Sequence, residues 1–128
     1  MYEIGIEAEF EAQHYLLGDF GPETQLHKHH YRVRVTLAGE ELAGDGTLYD
    51  IAQLQDWLRA ILAELNDQML NAVPGLQGVN PTVENVSRYL HECFTEKLRA
   101  ERGAARITGV KVTIWESPTA FSSYRRSE

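Results

Sequence analysis

Residues 2–13, YEIGIEAEFEAQ, alternate apolar and polar side chains almost without a break. Tyr2, Ile4, Ile6, Ala8, Phe10 and Ala12 fall on one side, and Glu3, Glu7, Glu9, Glu11 and Gln13 on the other. A helix would scatter these apolar groups around its axis. Only an extended chain, with its period of two, gathers them on one face. A second alternation follows, with Tyr31, Val33, Val35 and Leu37 inward and Arg32, Arg34 and Thr36 outward. The connection between them, GDFGPETQ, is polar and carries glycine. Two long half-buried antiparallel strands are the first expectation.

The period then changes. Ile51, Leu54, Leu58, Ile61, Leu62 and Leu65 share one helical stripe, with Asp50 placed to cap it. After the loop NAVPGLQGVNP a second helix is expected, with Asn80 as its cap and Pro81 in its first position. Its buried face is Val83, Val86, Leu90, Cys93, Phe94 and Leu98, which leaves His91 on a solvated face with Ser87, Arg88 and Thr95. Val110, Val112 and Ile114 alternate as a third strand, and Ser117-Pro118 turns into a last strand near Phe121 to Tyr124. The order β-β-α-α-β-β predicts an α+β fold with an antiparallel sheet and both helices on one face. At 128 residues without repeat or linker, the chain reads as a single domain over residues 1–128.

Charge and cysteine content narrow the function classes. A formal net charge of −7 disfavours nucleic acid, whose backbone needs clustered Lys and Arg. No apolar run is long enough to span a membrane. The acidic, alternating start is unlike a signal peptide, so a cytoplasmic location is expected. A single cysteine, Cys93, excludes an internal disulfide and all-cysteine metal sites, and it reads as a packing residue.

The polar exceptions on the inward faces are more telling. His27 and His29 continue the face of Tyr31 and Val33, while Lys28 and His30 lie on the other side. His14 continues the face of Phe10 and Ala12, and Glu116 that of Val110, Val112 and Ile114. Two imidazoles two residues apart on a strand share one side, and a third from a neighbouring strand would leave one tetrahedral position open. Imidazole suits zinc but also nickel, copper or iron. The competing readings are a hydrogen-bonded core histidine for His14 and a strand-end ion pair with Arg125 or Arg126 for Glu116. A cupin-like barrel, which also uses paired histidines, is disfavoured by two intruding helices and by Val33 and Arg34 where a carboxylate would stand.

The segments FEAQHYL, ETQLHKHHY, LYDIAQLQ, NPTVEN and VTIWES resemble the 6-pyruvoyltetrahydropterin synthase family, which includes 6-carboxytetrahydropterin synthases, over nearly the whole length. The resemblance implies the tunnelling fold (T-fold), in which subunits join their sheets into a barrel, and hence a homo-oligomer, a hexamer or tetramer. It implies zinc held by His14, His27 and His29, a pterin-type ring anchored by Glu116, and a ligand border at Thr82 and Glu84. The chain departs from the family in three places. Lys28 stands where glycine usually separates the histidines, Glu23 where the catalytic cysteine stands, and Asn66-Asp67 where an Asp-His couple supports that cysteine.

A subgroup with glutamate at the cysteine position is associated with cleaving the side chain of dihydroneopterin triphosphate. By that likeness the chain is a zinc-dependent lyase acting on a reduced pterin or related heterocycle, with Glu23 as base and Asp67 as a secondary catalytic candidate. Read from the residues alone, Glu23 is a solvated member of a GPET turn, and Asn66 and Asp67 mark a helix end. The alternative is a zinc- and pterin- or purine-binding homologue without turnover.

Overall fold

The computed structural model describes residues 1–127. Two thirteen-residue strands, β1 (Tyr2–His14) and β2 (His27–Gly39), pair antiparallel along their whole length, from Tyr2 opposite Gly39 to His14 opposite His27. Helix α1 (Ile51–Leu65) and the two-residue strand β3 (Gln68–Met69) follow, then helix α2 (Val83–Arg99) and the hairpin β4 (Gly109–Trp115) and β5 (Phe121–Ser127). The sheet order is β3-β1-β2-β4-β5. The α+β architecture and the element order match the sequence expectation.

The sheet is mixed rather than purely antiparallel, because β3 runs parallel to β1, Ala12 opposite Gln68. Two residues carry no period, so the alternation had no means of marking it. β5 also runs three residues beyond Tyr124, through polar residues that pair with β4 at an exposed edge.

Both helices lie on the face carrying Phe10, Tyr31, Val33, Val35, Leu37, Val110, Val112 and Ile114. α1 buries Leu54, Leu58, Ile61, Leu62 and Leu65 there, each worth up to about 1.5–3 kcal/mol for removal from water. Ile51, at the open start of the helix, is 50% exposed and does not join the stripe. Asp50 caps α1 as expected, accepting from the backbone N–H groups of Ala52 and Gln53.

The start of α2 differs from the expectation. Thr82, not Asn80, is the cap, its hydroxyl accepting from Asn85 N–H at 3.2 Å, so Pro81 precedes the helix. Asn80 is engaged elsewhere: Leu17 N–H donates to its Oδ1 at 2.8 Å, and its amide nitrogen donates to the Leu17 carbonyl at 3.0 Å.

The face of α2 expected in solvent is also partly buried. Ser87, His91 and Thr95 pack under β4 and β5, with the His91 Nε2–H donating to the Val110 carbonyl at 3.2 Å and its ring edge-on to Tyr124. The hairpin, arriving later in the chain, covers a second flank of the helix, and the polar groups there find partners. Cys93 is half-buried beside Tyr89, and burial pushes its thiol pKa up.

Candidate metal centre

β1 and β2 end side by side at His14 and His27, so the alternation that builds the core also delivers three imidazoles to one spot. The ligating nitrogens of His14, His27 and His29 lie within 4.8 Å of one another. His14 is fully buried, and His27 and His29 are about one-fifth to one-quarter exposed.

Backbone carbonyls fix two of the rings. His14 Nδ1 lies 2.8 Å from the Pro81 carbonyl, and His27 Nδ1 lies 2.8 Å from the Gln25 carbonyl. A carbonyl only accepts, so each Nδ1 carries a hydrogen, which leaves Nε2 as the nitrogen of each ring that can offer a lone pair. Those two Nε2 atoms face each other at 2.9 Å. Lone pairs at that distance repel unless a cation or a proton lies between them. Burial holds the His14 pKa below the usual imidazole range, against protonation there. The third ring completes the pattern: His29 Nε2 is buried with no hydrogen-bond partner.

These atoms fit a metal ion. Three nitrogen donors about 2.0–2.1 Å from a zinc-sized ion would sit about 3.3 Å apart in a tetrahedral set. Carbonyl partners on the distal nitrogens are the usual way to fix the tautomer and aim of such ligands. Below the triad lies Tyr31, fully buried and stacked on Phe10 at 4.9 Å, its hydroxyl 3.5 Å from His14 Nδ1. Burial, with the Glu116 and Glu23 charges, pushes this phenol far above its ordinary pKa, so it stays neutral.

Two carboxylates face the open side. Glu23 Oε1 is 3.9 Å from both His27 Nε2 and His29 Nε2, and Glu116 Oε2 is 4.0 Å from His29 Nε2. Glu23 sits in a single 3-10 turn, Gly21–Thr24, opened by Gly21 at φ 61°. The turn is tied back to the end of β1 by Leu16 N–H donating to the Glu23 carbonyl at 2.9 Å. Glu116 follows the last residue of β4, and no ion pair joins it to Arg125 or Arg126 among the described residues.

The other candidates stand apart from this group. Thr82 is half-buried and spends its hydroxyl on capping α2, next to the Pro81 carbonyl that holds His14. Glu84 is exposed in the first turn of α2. Asp67 is exposed in the left-handed region, φ 61°, with its carboxylate accepting from the Asn66 amide at 3.3 Å. It does not join the histidines, because its backbone opens β3 on the outer edge of β1, its N–H donating to the Glu11 carbonyl at 2.7 Å. On the opposite sheet face, as the alternation predicts, Lys28 pairs with Glu11 at 2.8 Å and His30 lies between Glu9 and Glu11.

The asparagines take a role the sequence did not suggest, holding main-chain groups at and beyond the end of β1. Asn66 accepts from Glu11 N–H at 2.9 Å, Asn71 makes paired bonds to the Tyr15 backbone at 3.1 and 3.0 Å, and Asn80 does the same for Leu17. Primary amides imitate a neighbouring strand and extend the pairing to both sides of β3, Asn66 before it and Asn71 and Asn80 after it. Their alignment with Glu11, Tyr15 and Leu17 is visible only once the chain is folded.

Comparison with known proteins agrees with this architecture. The family model described as 6-pyruvoyl tetrahydropterin synthase matches residues 3–127. A protein of Pyrococcus abyssi, provisionally named a 6-carboxy-5,6,7,8-tetrahydropterin synthase, is 26% identical over 134 residues, 89% of this chain and 83% of that one. The structure of Caenorhabditis elegans 6-pyruvoyl tetrahydropterin synthase superimposes with a TM-score of 0.83 at 27% identity, covering 98% of this chain and 96% of the other. A Plasmodium vivax 6-pyruvoyltetrahydropterin synthase with alanine in place of a catalytic glutamate has the same fold, with a TM-score of 0.84, 18% identity and coverage of 99% and 98%. With the match running from Glu3 to Ser127, across all three histidines and Glu116, the chain belongs to the 6-pyruvoyl tetrahydropterin synthase family.

Proposed function

We propose that the chain is a zinc-dependent lyase that cleaves the hydroxylated side chain of a reduced pterin. The observation that carries this is the position of Glu23, 3.9 Å from the facing nitrogens of both His27 and His29. His14, His27 and His29 would hold the zinc, which when bound supplies a Lewis acid that acidifies a side-chain hydroxyl.

The residues of the chain do the rest. Glu116 accepts hydrogen bonds from the amino and amide N–H groups of the ring and so fixes the side chain toward the triad. Glu23 takes the proton from the second side-chain hydroxyl, the carbon–carbon bond between the first and second side-chain carbons breaks, and an aldehyde leaves. The electron pair of that bond is delocalised into the ring system, and the proton held by Glu23 returns to the first side-chain carbon. The Plasmodium vivax relative is described with glutamate as a catalytic residue, which supports a carboxylate in such a role on this fold. The ordinary synthase reaction is disfavoured, because Glu23 replaces the cysteine and Asn66-Asp67 the Asp-His couple. A homo-oligomer joined through sheet edges accompanies this reading, consistent with the exposed edge strand β5.

One observation favours a second reading, a zinc- and pterin-binding homologue without turnover. Asp67, the remaining acid of the couple's position, is tied to Asn66 and lies apart from the triad. The test is to incubate the zinc-loaded protein with 7,8-dihydroneopterin and with its triphosphate and separate the products by chromatography. A hydroxymethylpterin product from either substrate supports the lyase. Saturable binding without product supports the second reading, and neither binding nor product overturns both.

A further inference from the structure

Tyr31 follows His29 by two residues and His27 by four, so the period of two in β2 puts all three side chains on one face. Its cross-strand neighbour is Phe10, and the two rings stack at 4.9 Å with 19° between their planes. Tyr31 also faces ligands on both strands. Its ring centre lies 6.2 Å from that of His14, edge-on at 86°, and 5.6 Å from that of His29. At 0% exposure it is enclosed by its own chain, so a neighbouring subunit adds nothing to its contacts.

Packing accounts for the ring and not for the hydroxyl. Phenylalanine would stack on Phe10 equally well, whereas a buried hydroxyl needs hydrogen-bond partners. Among the described residues, the group within reach of the Tyr31 oxygen is His14 Nδ1, at 3.5 Å. That nitrogen carries a hydrogen, because it also lies 2.8 Å from the Pro81 carbonyl, which only accepts. The phenol oxygen therefore accepts from it as well. The hydrogen of the Tyr31 hydroxyl is left without an acceptor among the described residues, and such a group costs the fold stability.

The gain is a second oxygen on one N–H. An imidazole turns on a broad torsion next to its ring, so one hydrogen bond fixes its aim incompletely. Here two oxygens from different elements share the task, Pro81 just before α2 and Tyr31 on β2. Acceptors on the distal nitrogen also raise the basicity of the nitrogen that binds metal. The contact to Tyr31 is long, which makes it the weaker of the two.

From this we infer that Tyr31 is a positioning residue of the metal centre. Its hydroxyl aims His14 and strengthens it as a ligand, at a cost to the stability of the metal-free fold. The inference rests on the metal reading of the triad given above and deepens it.

The test is Tyr31→Phe in the full-length protein in its native assembly, compared with the parent after metal removal and during titration with zinc and with cobalt(II). Metal-free, the variant should melt at the same temperature as the parent or higher, because it has lost a hydroxyl whose hydrogen lacked an acceptor. Its zinc affinity, read by competition with a chelator, should be weaker by about tenfold, the lower end of the effect of such partners. The visible bands of the cobalt form should shift as well. A residue that serves only the fold would move the melting temperature and leave both metal readouts alone. Unchanged zinc affinity with unchanged cobalt bands would therefore overturn the inference. A metal-free variant that melts below the parent, or fails to fold, would also overturn it, since the hydroxyl would then be a support of the fold. If the parent binds neither metal, the metal reading itself fails, a result distinct from a parent and a variant that bind equally.

Discussion

His14 and His27 direct their Nε2 atoms at each other across 2.9 Å while both Nδ1 atoms are held by main-chain carbonyls. With neither a cation nor a proton between them the facing lone pairs repel, so metal binding should be linked to stability. We expect zinc at about one hundred times its dissociation constant to add roughly 2.7 kcal/mol, a rise in Tm on the order of 10 °C for a chain of this size. A chelator should reverse it, and His14→Ala should abolish the response. A thermal scan in which zinc leaves Tm unchanged would remove the metal assignment.

Glu23→Gln separates base from scaffold. The amide keeps the shape of the side chain and the 3-10 turn, whose ties are through backbone groups. It has no carboxylate to take a proton, so turnover of the pterin side chain should fall by about 10²–10⁴-fold. Zinc content, measured by atomic emission, should be unchanged. A variant that retains the full rate would show that another group is the base.

The legible part of this molecule is the part governed by periodicity. A period of two put His14, His27 and His29 on the core side of β1 and β2, and it put His30 and Lys28 on the other. It also placed Glu116 beyond Ile114, and the structure brings its carboxylate to His29. Partners that are backbone atoms have no such signature. Nothing in PTVEN says that the Pro81 carbonyl, rather than a side chain, will hold His14. The cap of α2 was misread for a related reason, since Asn80 and Thr82 are both good caps and only the folded chain shows that Leu17 claims Asn80. His91 was misread because one helix stripe was assumed, whereas α2 is packed on two flanks.

Glu116→Gln probes the ring end of the site. The amide would still accept one hydrogen bond but would present N–H groups to a donor edge and lose the charge. Hydrogen bonds to a charged group are worth about 1.5–3 kcal/mol, so pterin affinity should weaken about 10- to 100-fold. Because Glu116 stands 4.0 Å from His29 Nε2 and contacts no other triad nitrogen within 4.0 Å among the described residues, zinc content should hold. Calorimetric titration with a pterin, alongside metal analysis, reads both. Loss of zinc in the variant would make Glu116 a ligand or a support of His29 instead.

Asn80 ties the strap after His14 to the approach of α2, and through that approach to the Pro81 carbonyl. Its amide makes two bonds to Leu17, and its own carbonyl accepts from Asn85 at 2.9 Å. Asn80→Ala removes the first two and leaves the third. At about 0.5–1.5 kcal/mol for each lost bond, we expect a Tm several degrees lower. The larger consequence is local. Leu17 is one residue from Leu16, whose N–H holds the Glu23 carbonyl, and Pro81 is the neighbour of Asn80 in the chain. Freeing this junction loosens both the candidate base and the aim of His14, so zinc affinity measured by chelator competition should drop more than the Tm alone would imply. Asn80→Asp should restore the bond from Leu17 N–H and recover part of both properties. If the alanine variant loses stability but binds zinc as the parent does, the strap is a structural tether with no part in holding the site.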